Sequence, residues 1–254
     1  MILSSGELMS KILHALEHRL PCPVVSLGAT ESFVLAQETV LTRQQFMGHA
    51  EARTANLGLQ RGNRHRGVRF PNFAARDALA EALQEVDIIG CNLLLNDLNS
   101  GQLTKKVLEY YNIAPPYIFE AYVRRVIMFS QKGKFEQMLR GKKIILVCGY
   151  ADEVAAALNK NLKKSLNFNI VGTIKIHEFE EIPRAKKEIQ ALDFDLALLS
   201  AGLNAIILAA YIARVKGKVA FDIGQGMESL ITGQIVDEGN FLNKTIGIVN
   251  LLKL

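Results

Sequence analysis

The 254-residue chain carries 30 Lys and Arg against 25 Asp and Glu, a formal net charge of +5, and 49% of its residues are hydrophobic. Such a composition excludes a disordered chain and suits one large α/β core or two small units closely joined. No run of about 18 apolar residues escapes polar interruption, so no membrane span is expected; the nearest approach, Leu196 to Ala213, is broken by Ser200, Gly202 and Asn204.

The chain opens with MILSSGELMSKILHALEHRL, in which Ser4 and Glu7 have capping-box spacing and Leu8, Ile12, Ala15 and Leu16 form a stripe. That pattern is a helix of the mature protein and lacks the order of a secretory signal. A β-like PVV then leads into SLGATESFVLAQETVL, where Phe33, Val34, Gln37, Val40 and Leu41 fall at helical spacing. Gly28 to Glu31 is therefore read as a strand-to-helix corner. Glu31 has two readings at this point: an acidic residue complementing a helix N-terminus, or a group facing a ligand.

Further helices are expected over residues 31–60, interrupted near Gly48 and Gly58, then over 72–84, 102–111 and 117–138, with a buried strand at 86–95. Between the first two helical stretches lies LQRGNRHRGVRFPN, a loop with Arg61, Arg64, Arg66 and Arg69. It is either a solvated loop or a phosphate site, since arginine offers a planar fork of donors that suits diphosphate oxygens.

The second half alternates. Strand-like runs at 142–149, 169–176, 194–202 and 218–224 are separated by helical patterns, which implies a parallel sheet covered on both faces. Ligands of such a sheet bind at the carboxyl ends of its strands. Those ends carry Gly149 and Tyr150, His177 and Glu178, Ser200 with Gly202 and Asn204, and Asp222 with Gly224. Three separated cysteines, Cys22, Cys91 and Cys148, show no paired spacing and are read as buried, reduced and cytosolic, with no zinc site.

Several chemistries fail against these ends. VCGYADEV supplies one glycine of a dinucleotide fingerprint, no P-loop sequence exists, LLSAGLN lacks the leading glycine of a hydrolase elbow, and no H-E-x-x-H occurs.

Taken in order, SLGATESFVLAQETVL, RGVRFPNFAARDALAEAL with VDIIG, GKKIILVCG and FDLALLSAGLNAIILAAYIARVKGKVAFDIG resemble the bacterial GT-D-type glycosyltransferases. The resemblance implies a Rossmann-like parallel sheet with helices on both faces and a helix-rich N-terminal half. The implied divisions are an N-terminal helix at 1–23, the glycosyltransferase domain at 24–230 and a C-terminal tail at 231–254. It also implies transfer of a sugar from a nucleotide sugar, typically a UDP-sugar, to an acceptor hydroxyl on a glycan or glycoprotein, by a cytoplasmic enzyme. No nucleic acid partner is implied, and a homo-oligomer is left open. In this family a D-x-E motif at the first corner is associated with a divalent metal, manganese or magnesium; here it falls on Ala29-Thr30-Glu31 and keeps only the glutamate. The closing Asp-x-Gly-His is Asp222-Ile223-Gly224-Gln225 and lacks the histidine. Carried over, Glu31 and Asp222 are the candidate catalytic residues, with Glu31 also the candidate metal ligand. Gly28, Arg64, Arg66, Arg69, Gly149, Ser200, Gly202, Asn204, Gly224 and Gln225 are the candidates for holding the nucleotide sugar. Two other readings stay open: a non-catalytic nucleotide- or glycan-binding relative, and a Rossmann-type oxidoreductase or methyltransferase.

Overall fold

The computed structural model describes residues 1–57 and 66–254. Eight strands form one sheet in the order β1-β4-β3-β2-β8-β7-β5-β6, and every neighbouring pair is parallel.

In the first half, β1 (Ile2–Leu3) and α1 (Ser5–His18) precede β2 (Cys22–Leu27), and α2 (Ala29–Leu35), α3 (Arg43–Gly48), α4 (Ala50–Leu57) and α5 (Phe73–Gln84) lead to β3 (Ile88–Cys91). Then follow α6 (Gly101–Tyr110), β4 (Tyr117–Glu120), a 3₁₀ turn at Ala121–Arg125, and the short α7 (Ile127–Ser130) and α8 (Lys132–Leu139). The second half runs β5 (Lys143–Cys148), α9 (Ala151–Asn161), α10 (Lys163–Leu166), β6 (Asn169–Ile174), α11 (Ile182–Ala191), β7 (Leu196–Ser200), α12 (Leu203–Tyr211) and β8 (Val219–Asp222). Helices α13 (Gly226–Thr232), α14 (Phe241–Thr245) and α15 (Ile248–Leu251) close the chain.

Period-two alternation in the strands divides the core into two layers. Val25, Leu27, Ile145, Val147, Ala197, Leu199 and Ala220 face one side with α2, α5, α6, α11 and α12; Val24, Ile144, Leu146, Leu196, Leu198, Val219 and Phe221 face the other with α1, α8, α9 and α13. Helix α12 is apolar on every face apart from Asn204 because it lies over β2, β7 and β8 and under α5, which leaves every residue from Leu203 to Ala210 buried. The fold is thus the α/β, Rossmann-like parallel sheet with both faces covered and helices abundant in the first half.

Local chemistry places several elements where the sequence puts them. Ser4 Oγ accepts from Glu7 N–H while the Glu7 carboxylate accepts from Ser4 N–H, which starts α1. The expected break near Gly48 is present between α3 and α4, where His49 is extended; Gly58 lies outside the described residues.

Three elements differ from expectation, one of them the strand expected at 86–95, which is only Ile88–Cys91 and leaves Leu93 and Leu94 exposed in the loop after it. The stretch 31–60 is not one interrupted helix from its start: α2 ends at Leu35, Glu38 takes a left-handed conformation (φ 53°), and the chain restarts only at Arg43, capped by Thr42. Residues 117–138 are not a single helix either. Tyr117–Glu120 is β4, inserted between β1 and β3, and its four residues are too few to display alternation beside the helical pattern that follows. Neighbouring strands, rather than local preference, decide its conformation.

The C-terminal residues pack around Val126, with Leu242 and Leu251 buried beside it, and Ser5 N–H donates to the Leu254 carbonyl at 2.8 Å. No helix among the described residues is long and apolar enough to cross a membrane.

Candidate functional site

The first chain half occupies one wing of the sheet and the second half the other, meeting where β2 lies beside β8. Reversal of strand order at such a junction opens a crevice at the carboxyl edge. A cavity of about 590 Å³ lies along that edge, lined by the ends of β2, β4, β5, β7 and β8 and by Arg66 and Gly67.

Adjacency of β2 and β8 brings Glu31 and Asp222 to one wall although 191 positions separate them (222 − 31). Glu31 is the third residue of α2, and its Oε2 accepts from Gly28 N–H at 3.0 Å. It therefore caps the helix and lines the cavity at once. Only 7% of Glu31 and 2% of Asp222 is exposed, which for two carboxylates demands a compensating partner. Asp222 Oδ1 accepts from Gly224 N–H at 3.0 Å, and Oδ2 accepts from Arg124 Nη1.

Arg124 stands in the 3₁₀ turn that follows β4, and its side chain is 16% exposed. Its charge lowers the proton affinity of both Glu31 and Asp222, but burial outweighs that effect and holds both carboxyls above their ordinary range. One guanidinium thus serves two buried acids.

A second arginine reaches the cavity from the other side. Arg66 Nε lies 2.7 Å from Glu51 Oε1, and that same oxygen accepts from Thr30 at 2.7 Å, which ties the arginine to the start of α2. Arg69, by contrast, lies outside the lining: it pairs with Glu178 at 3.2 Å and reaches the Asn56 carbonyl at 3.4 Å. Arg61 and Arg64 lie outside the described residues.

Among the other expected site residues, Gly28, Gly149, Ser200, Gly202, Gly224 and Gln225 line the cavity. Asn204 does not. It is fully buried behind the wall, where its Nδ2 donates to the Gly67 carbonyl at 3.3 Å and so fixes the strap that carries Arg66. Gly149 leaves room for His177: a β-carbon there would come within 2.7 Å of the imidazole, which would have to shift.

Arg124, Arg125, Tyr122 and Asn92 also line the site and were not expected from sequence. The available signal was the pair Arg124-Arg125 embedded in an otherwise apolar segment, obscured by reading that segment as one helix. Glu120, close by, is structural: it accepts N–H bonds from Leu93, Leu94 and Tyr122 at 2.8–3.1 Å and holds the loop after β3.

The donor set does not fit the divalent metal that the resemblance implies. Ala29 offers no ligand, Gln225 replaces an imidazole, and three of the four oxygens of Glu31 and Asp222 already accept from Gly28, Gly224 and Arg124. At an effective dielectric of ~20, a divalent ion about 5 Å from the guanidinium would be repelled by roughly 6–7 kcal/mol, as much as one carboxylate at that distance attracts it. Among the described residues no group of three or more His, Cys, Asp or Glu is placed to hold a metal. The three cysteines are buried and free, and burial pushes each thiol up to about 12.

The solved structures similar to this chain share its architecture. A glycosyltransferase from Streptococcus sanguinis of the domain-of-unknown-function 1792 group superposes with a TM-score of 0.59 at 15% identity, covering 93% of this chain and 86% of that one. A second, described as that highly conserved domain with a distinct glycosyltransferase fold, gives 0.57 at 14% identity over 93% and 83% of the two chains. A selenomethionine-substituted structure of the same domain gives 0.55 at 15% identity over 96% and 94%. Comparison with curated proteins gave no match. Residues 3–230 match the model of the GT-D fold-like domain, the span that builds the sheet from the end of β1 through β8 and the cavity at its edge, and the chain belongs to that family.

Proposed function

We propose that the protein is a cytoplasmic glycosyltransferase that moves a sugar from a nucleotide sugar, of the UDP-sugar class, to an acceptor hydroxyl on a glycan or glycoprotein. The observation that carries this reading is a pair of buried carboxylates, Glu31 and Asp222, in a crevice also lined by Arg66 and Arg124. Membership of the GT-D family supports it. Its glycosyltransferase core is residues 24–230, with 231–254 as an accessory tail.

In this reading the diphosphate lies against the arginines. Glu31, whose proton affinity burial has raised, takes the proton of the acceptor hydroxyl. The acceptor oxygen forms the new bond to the anomeric carbon, and the bond from that carbon to the diphosphate oxygen breaks, its electron pair leaving with the diphosphate. Positive charge fixed beside that oxygen stabilises the charge developing on it. Asp222 orients Arg124, while Gly28, Gly149, Ser200, Gly202, Gly224 and Gln225 form the surface against which the nucleotide sugar lies. The metal ligand role considered for Glu31 is not carried forward, because Gly28 N–H already occupies one of its oxygens and Arg124 already supplies a positive charge beside it.

A second reading, a binding protein without turnover, is favoured by one observation: Ala29 and Gln225 stand where the family's motif has an acid and a histidine. A thermal-shift panel with UDP, UDP-sugars, NAD and S-adenosylmethionine, followed by an assay for UDP release, separates the possibilities. A ligand at 100 times its dissociation constant adds about 2.7 kcal/mol, or roughly 5–10 °C at this size. A UDP-selective shift with UDP release supports transfer, and a shift without release in any acceptor or metal condition supports the second reading. Stabilisation by NAD or the methyl donor alone overturns both.

A further inference from the structure

We propose that Arg124 occupies the role that a divalent metal plays in metal-dependent sugar transfer, so that this site binds the donor's diphosphate without metal. The inference rests on the nucleotide-sugar reading and adds to it which group supplies the positive charge.

Three observations converge on Arg124. The first is its seat. Gly224 is in the left-handed region (φ 49°), and a β-carbon there would stand 2.7 Å from Arg124 Cζ, while one on Gly226 would stand 2.5 Å from the Arg124 carbonyl. Both the backbone and the guanidinium of this arginine are therefore received where no side chain stands. The second is its fixing. Nη1 donates to Asp222, and the other oxygen of Asp222 is held by Gly224 N–H, so the cation is anchored to the end of β8. A guanidinium carries five donors, and one carboxylate oxygen engages only part of the fork. The third is its position: the side chain lines the cavity beside the Ala29-Thr30-Glu31 corner.

Charge bookkeeping points the same way. Even with Glu31 and Asp222 both ionised, the guanidinium of Arg124 leaves these three groups at −1, and Ala29 adds no further negative charge. A site with that balance gains less from a divalent ion than one with three carboxylates, and a fixed cation needs no ion to be recruited with each donor. Arginine also matches phosphate oxygens with paired N–H groups, which a hydrated ammonium does not.

The test is calorimetric titration of UDP into the purified full chain, first in excess EDTA and then in manganese, together with manganese binding followed by electron paramagnetic resonance. The expected result is a dissociation constant unchanged within about twofold by manganese, no manganese bound by the wild type without nucleotide, and at least tenfold weaker UDP binding by Arg124→Met in EDTA. Arg124→Met is also expected to bind manganese, since it frees Asp222 Oδ2 and removes the positive charge beside both carboxylates. Tenfold or greater tightening of wild-type UDP binding by manganese would overturn the inference and leave the nucleotide-sugar reading standing. No UDP binding in either condition would overturn that reading and the inference with it. Should Arg124→Met fail to fold, the wild-type comparison with and without EDTA decides alone.

Discussion

The guanidinium of Arg124 rests on the bare α-carbon of Gly224, with 2.7 Å between Arg124 Cζ and the point where a β-carbon would be. No side chain can be added at Gly224 without moving the arginine that neutralises Asp222. Gly224→Ala is therefore expected to lose stability twice, once for the positive φ, at about 1 kcal/mol, and once for the weakened buried pair. Denaturant unfolding should show a loss of about 2–4 kcal/mol. UDP binding measured on the folded fraction should fall at least tenfold. A variant as stable and as tight as wild type would show that the contact carries neither role.

Burial raises the proton affinity of Glu31 above its ordinary 4.5. A carboxyl shifted in that direction favours the folded state below its unfolded pKa and withdraws the contribution as pH rises through its folded value. Glu31→Gln keeps an oxygen that can accept from Gly28 N–H but removes the ionisation. Relative to wild type, the variant should thus gain stability progressively from about pH 4.5 upward, with sugar transfer abolished throughout. Parallel unfolding curves at pH 4, 6 and 8 provide the check, and a constant difference between the two proteins across that range would contradict the buried-acid assignment.

Arg66 and Arg69 are three positions apart and indistinguishable in composition, yet only Arg66 lines the cavity. Arg66→Ala should weaken UDP binding about tenfold, ~1.4 kcal/mol, whereas Arg69→Ala should change it by less than about twofold. Equal losses in the two variants would place the phosphate elsewhere.

Asn204 holds the Gly67 carbonyl from behind the wall. Asn204→Leu keeps the branching of the side chain but removes the amide donor to that carbonyl, at a cost of about 1 kcal/mol. Because Arg66 directly precedes Gly67, the same variant should weaken UDP binding without touching the ligand. Calorimetry that finds full affinity in the destabilised variant would separate the strap from the site.

What could be read from the sequence follows the range of the forces involved. The capping box of Ser4 and Glu7 spans three residues, and β5, β7 and β8 are short, largely apolar runs alternating with helical patterns, so both are legible locally. Glu31 was legible as a strand-to-helix corner, but not as the neighbour of Asp222, because that proximity depends on β8 being inserted beside β2. Arg124 was hidden for a related reason. Its position depends on β4, a strand of four residues whose conformation is set by β1 and β3 rather than by its own pattern. The family motifs named the acids and the glycines around them, whereas the cation between the acids comes from a segment outside those motifs.

Helix α12 has every residue from Leu203 to Ala210 buried, and the Gly202 turn of the cavity wall leads directly into it. Its backbone amides can reach deuterated solvent only when the sheet and α5 part from it, which for such a central element is the opening of the whole molecule. In a deuterium-exchange time course these amides should be among the last to disappear, and their protection should read out the global free energy of unfolding. The Gly202 side of the crevice would then keep its shape for as long as the protein remains folded, giving the proposed sugar-nucleotide ligand one rigid wall to dock against.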